Sequence, residues 1–168
     1  MKTNPSMLAA ATLASVLVST SGAALAQQGL ASERSITLAA ATELATAALE
    51  RCRADGFKVT ITVINRHART AVVLSDDGVN PHTVENSFRK AYTAFTTRAP
   101  TVEMAKRTPA VLQGFLLLAN TTSLDGGLPI FAGKELVGAV GISGAPGGDK
   151  DAACAKVGLD RIAASLGN

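Results

Sequence analysis

The chain has 168 residues, sixteen basic and thirteen acidic side chains for a formal charge of +3, five Phe, one Tyr and no Trp. So mild a balance, with no run of Lys and Arg interleaved with aromatics, argues against nucleic acid as a partner. Two cysteines and two histidines at long spacing do not make a zinc site.

Met1-Lys2 opens the chain with one positive charge, Met7 to Val18 is apolar and small, and Ala24-Leu25-Ala26 puts small residues where a signal peptidase reads. That order predicts a cleavable secretory signal over residues 1–26, and without a twin arginine the general secretory route is expected. The apolar core falls well short of the ~20 residues that span a bilayer, which disfavours a retained anchor. The mature protein is then expected to begin at Gln27, to be periplasmic or secreted, and to have no membrane span. Its length suits one domain with one core.

Residues 27–34 form a polar lead-in, and a domain over 35–168 follows. Thr37 can cap a first helix whose apolar face is Leu38, Ala41, Ala45, Ala48 and Cys52, with Gly56 at its stop. Lys58 to Ile64 alternates polar and apolar residues, the pattern of a half-buried strand. Asn65 to Arg69 turns it into a paired strand over Thr70 to Leu74, which Asp76-Asp77-Gly78 ends. Asn80-Pro81 starts a second helix that runs to about Arg98, with Phe88, Ala91, Tyr92 and Phe95 as its apolar stripe. Pro100-Thr101 begins a short helix that ends before Thr108-Pro109. Residues 110–125 carry no clear pattern, although Val111 to Ala119 is apolar enough to read as core. Strands over Leu128–Phe131 and Glu135–Ser143 come next, and the glycines of the second imply close backbone approach from above. Asp149 is expected to cap a last helix that reaches about Leu166. Helices and strands segregated in this way predict an α+β fold, helices on a largely antiparallel sheet.

Catalytic motifs are missing. No G-x-S-x-G elbow is present, and the glycine-rich stretches lack the order that cradles a dinucleotide. Asp76-Asp77 beside Gly78 reads as a solvated turn before it reads as a metal site. His67 belongs to a hairpin tip. His82 lies in the first turn of a helix, where backbone N–H groups are free and anions are favoured, with Arg89 and Lys90 downstream.

Taken together, several segments resemble the GlcG/HbpS family. They are Val59 to Asn65, Asp76-Asp77-Gly78, Arg89 to Ala94, Gly126 to Ile130, Val137 to Gly144 and Asp151-x-x-Cys154-Ala155. The likeness covers nearly all of residues 35–166. It implies a profilin-like domain with a roughly five-stranded antiparallel sheet, assembly into homo-oligomers and, for several members, haem held without covalent attachment. The hairpin Asn65-Arg66-His67-Ala68 departs from the family, which usually has an Asp and a Gly there.

Three readings stand. In the first, the exported protein binds haem b or a related tetrapyrrole for sensing, buffering or delivery, with His82 on the iron and Arg89, Lys90 or Arg98 on the propionates. Tyr92 and Met104 are reserve ligands, and the lack of C-x-x-C-H makes attachment non-covalent. In the second, the protein is an enzyme acting on haem or another small molecule, although no acid and base pair stands out. In the third, it is an accessory protein whose oligomer surface is its function. In all three, Cys52 at the end of the first helix and Cys154 near the start of the last are expected to form a disulfide, through antiparallel packing of those helices.

Overall fold

A computed structural model describes residues 29–167, so the expected signal over 1–26 lies outside the described residues. The elements are α1 (Leu38–Ala54), β1 (Thr60–Asn65), β2 (Thr70–Ser75), α2 (His82–Thr97), α3 (Pro109–Leu116), β3 (Gly127–Ala132), β4 (Glu135–Ser143) and α4 (Gly148–Ile162). Short 3-10 turns at Thr101–Lys106 and Ala163–Leu166 complete them. From Glu33 onward the chain is one compact unit. No helix among the described residues is long and apolar enough to cross a membrane.

The sheet is antiparallel in the order β2-β1-β4-β3. It has four strands among the described residues, not the five that the resemblance implied. They are the four strands expected from the sequence, and the apolar run after Pro109 is helical.

Local chemistry explains the helix ends. Thr37 Oγ1 accepts from the Ala40 N–H at 3.2 Å, which satisfies one of the free donors at the start of α1. Gly56 follows the helix at φ +80°. The buried face of α1 differs from expectation: Leu38 is 66% exposed, while Leu44 and Leu49 join Ala41, Ala45, Ala48 and Cys52 in the core. α4 begins from Gly147 with no side-chain cap, so Asp149 sits in the first turn, where a carboxylate favours the helix dipole, without capping it.

α1 and α4 cover one face of the sheet together, over Ile61, Val63, Val140 and Ile142. α2 covers the other, over Ile64 and Ala139. β1 is therefore buried on both faces, not half-buried. Its threonines lie under α2 and are satisfied there: Thr60 Oγ1 pairs with Thr83 Oγ1 at 2.8 Å and Thr62 Oγ1 with Ser87 Oγ at 2.7 Å. Hydroxyl pairs remove the penalty that buried polar atoms would otherwise carry.

The glycines of β4 do what their spacing implied. A Cβ on Gly141 would collide with the Ser87 carbonyl and the Ala91 amide of α2, so only glycine lets the helix sit this low. The expected apolar stripe of α2 is shifted by this arrangement. Thr83, Ser87, Lys90, Ala91 and Ala94 face inward, whereas Phe88, Tyr92 and Phe95 are half-buried.

The stretch read as core after Pro109 is not core. No residue of α3 is buried; Val111 is 55% exposed and Leu117, just past its end, 87%.

Cys52 and Cys154 form a disulfide with Cα atoms 5.6 Å apart, a separation within the normal range. It links the end of α1 to α4 across 102 residues of sequence. Freshly purified, denatured protein is therefore expected to show no titratable thiol until reduced. Cys52→Ala combined with Cys154→Ala should lower unfolding stability by roughly 4–5 kcal/mol on the chain-entropy treatment, measured as the shift of the urea midpoint.

Candidate functional site

α2 presents its exposed ridge as His82, Glu85, Asn86 and Arg89, residues spaced three and four apart on one face. Two adjoining recesses, of about 260 and 370 Å³, both include His82, Asn86 and Leu124. His82 is the first residue of α2 and exposed, and its imidazole has no hydrogen bond among the described residues. Arg89 lies two turns further on and is paired with Glu85 at 2.6 Å, with 42% of its side chain exposed. Leu124, 54% exposed, gives the recesses an apolar wall.

The inner recess ends on a buried ion pair. Lys90 Nζ donates to Asp151 Oδ2 at 2.7 Å and to the Ile142 carbonyl at 2.8 Å. Asp151 Oδ1 accepts from the Ala145 N–H at 3.0 Å, and both side chains are below 5% exposed. Burial pushes the Asp151 carboxyl above its ordinary value of 3.8, while the Lys90 ammonium pulls the other way. Next to the pair, Gly126 has no room for a Cβ against Asp151 and Ile142. Asp125 Oδ1 accepts from the Gly126 N–H at 2.6 Å and from the Thr101 hydroxyl at 3.1 Å. Thr93 Oγ1 accepts from the Thr122 N–H at 3.0 Å. The loop before β3 is thus fastened to α2 through Thr93 and to the 3-10 turn through Thr101, and it carries Leu124 to the recess.

Of the residues expected at a site, His82 and Arg89 share the outer recess, and Lys90 lies beneath the inner one with its charge already matched. Arg98 is elsewhere, at the far end of α2, about 24 Å along the helix axis from His82. Met104 is 2% exposed and belongs to the interior, and Tyr92 stands against Phe88 with ring centroids 6.0 Å apart. Asp76 is engaged as well: Arg53 donates to both its oxygens, at 2.8 and 3.1 Å, and holds its carboxyl below the usual range. No cluster that could hold a metal ion is found among the described residues.

Asn86, Asp125, Ser143 and Asp151 were not singled out as site residues from the sequence. Ser143, read as a small strand end, accepts the Asn86 amide at 2.9 Å, so its hydroxyl is paired with an amide and not with an imidazole. A buried Lys needs an acid, but the stripe read from the sequence did not place Lys90 inward, so no local signal pointed to Asp151.

Removing half of the buried pair should be far worse than replacing both. Asp151→Ala is expected to lose about 3–5 kcal/mol of unfolding stability, whereas Lys90→Met with Asp151→Leu should come close to wild type. The folded carboxyl binds its proton more tightly than the unfolded one, so its contribution is full below pH 3.8 and declines as pH rises through the raised value. The stability difference between wild type and the double variant should therefore shift against wild type as pH rises through that window.

A family model described as "Haem degrading protein HbpS-like" matches residues 36–160. A crystal structure of a double mutant of Streptomyces reticuli HbpS superposes with a TM-score of 0.75 at 35% identity, covering 90% of this chain and 97% of that one. An uncharacterised 15.0 kDa protein of Citrobacter freundii, from the dhaT-dhaS intergenic region, is 33% identical over 114 residues, 65% of this chain and 80% of that one. A complex of PduOC with heme shares the fold, with a TM-score of 0.70 at 21% identity over 76% of this chain and 95% of that one. With a family model matched over most of its length, the chain belongs to the HbpS-like family.

Proposed function

We propose that the protein binds haem b without covalent attachment, with His82 as an axial ligand of the iron. The observation that carries this reading is the His82 imidazole, exposed and without a hydrogen bond among the described residues, at a helix start between two adjoining recesses. Imidazole is a common haem ligand, and Leu124 offers apolar surface to a macrocycle. Arg89 is the cation open to a propionate, because it can exchange one carboxylate for another, while Lys90 is committed to Asp151. Kinship supports the reading: the family description names haem, and the same fold holds heme in the PduOC complex.

The role we infer is sensing, buffering or delivery outside the cytoplasm, after removal of residues 1–26. The Cys52–Cys154 bridge supports an oxidising compartment. A second reading, breakdown of haem, is favoured by the family's description as haem-degrading. We also infer self-association. Val111, Leu116, Leu117 and Leu118 leave on one chain an apolar surface of the kind that a partner copy covers.

Titration of the mature protein with haemin should give a sharpened Soret band, weakened or reshaped by His82→Ala and left alone by His67→Ala. An unchanged His82→Ala spectrum moves the ligand elsewhere, and no spectral change in wild type removes haem and leaves the accessory role. Decay of the band with appearance of an open-chain product would establish breakdown. Light scattering should give a mass that is a multiple of the single chain, and Leu117→Glu should shift it towards the single chain.

A further inference from the structure

At the end of α2 opposite His82 lies a groove of about 480 Å³, bounded by Arg66, His67, Phe95, Arg98 and Leu136, with Glu33 among its lining residues. The hairpin that supplies Arg66 and His67 is not a loose tip. Asn65 Oδ1 accepts from the N–H groups of His67 and Arg69 at 2.9 and 3.1 Å, and the Arg66 N–H donates to Ser35 Oγ at 3.3 Å. Arg66 Nη1 donates to the Leu136 carbonyl at 2.6 Å and Nη2 to Glu33 at 3.3 Å, with only 24% of its side chain exposed.

Arg98 closes α2 in the left-handed conformation, at φ +56°. Glycine or asparagine takes that position more easily, so arginine there points to a use for its side chain. Its guanidinium carbon lies 5.8 Å from the Phe131 ring centroid, and it has no carboxylate partner among the described residues. Its neighbour across the groove, Arg66, is by contrast matched, to Glu33.

Charge and shape then name a ligand class. Two guanidinium groups against one carboxylate leave one positive charge uncompensated in the groove. Beside it stands the half-buried ring of Phe95. A planar guanidinium pairs with a carboxylate in two parallel hydrogen bonds, and an aromatic face accepts a flat apolar body. We infer that this groove is a second binding site, distinct from the His82 recesses, for a small aromatic monocarboxylate whose acid group is held by Arg98. An arginine at a helix C-terminus is also favoured by the dipole, but that role requires no ligand and a lysine would fill it.

The test is a calorimetric titration of the mature protein with 2-naphthoate, with 2-naphthylmethanol as the uncharged control. Saturable binding of naphthoate at one per chain is expected, with little binding of the alcohol. Arg98→Asn keeps a residue that tolerates the left-handed backbone and should weaken naphthoate by ~10-fold or more. Phe95→Ala should weaken it without touching a charge, and urea midpoints verify that both variants are folded. Arg98→Asn should leave the haemin spectrum unchanged, so failure of this site and failure of haem binding at His82 can be told apart. Equal naphthoate affinity in wild type and folded Arg98→Asn, equal binding of acid and alcohol, or no saturable binding at millimolar concentration would each overturn the assignment.

Discussion

Direct contact between the backbone of α2 and that of β4 sets the position of nearly everything else. It exists because Gly141 has no side chain where Ser87 and Ala91 pass, and Gly127 of β3 leaves the same space beside the Lys90 carbonyl. Helices usually stand about 10 Å from their neighbours on a layer of large side chains. Here the layer is nearly absent, and small hydroxyl residues fill what remains, Thr60 to Thr83 and Thr62 to Ser87. A helix seated so low carries Lys90 into the interior, where it must find an acid, and Asp151 at the start of α4 supplies one. From that pair the polar contacts spread to Ile142, Ala145 and the loop around Asp125 and Gly126.

The two faces of the sheet are therefore held by different forces. The α1 and α4 side is an ordinary apolar core of Leu44, Ile61, Val63, Val140, Ile142 and Ile162, and the hydrophobic effect acts there without direction. The α2 side adds directional contacts, hydroxyl pairs, one ion pair and backbone contact, to a small apolar cluster of Ile64, Ala91, Ala94 and Ala139. Directional contacts tolerate few alternative arrangements, which suits the side that carries His82 and Arg89.

Much of the fold was legible in the sequence, because strand alternation, the Thr37 cap and the Gly56 stop are local signals. All four strands fall where the sequence places them, and the glycines of β4 implied the close backbone approach that Gly141 makes with α2. What could not be read depends on partners far away in sequence. Thr60 and Thr62 look like a solvated strand face until α2 is known to cover them with its own hydroxyls. Val111 to Ala119 looks like core because apolar composition does not say whether a neighbour exists to cover it. At the site, position along the helix was readable and environment was not. The spacing of His82 and Arg89 puts them on one ridge, yet nothing local separates exposed Arg89 from buried Lys90 beside it. The acid that decides the matter, Asp151, lies 61 residues away.

The bridge between Cys52 and Cys154 also gives the chain a topology. Residues 53–153 form a closed ring that contains α2, all four strands, the His82 ridge and Arg98. A single peptide cut anywhere inside that ring leaves one covalent molecule, and both new ends stay tethered to the α1–α4 layer. His82, Arg89 and Arg98 thus lie on a segment that a protease cannot release with one cleavage, whereas the chain before Cys52 and after Cys154 has no such protection.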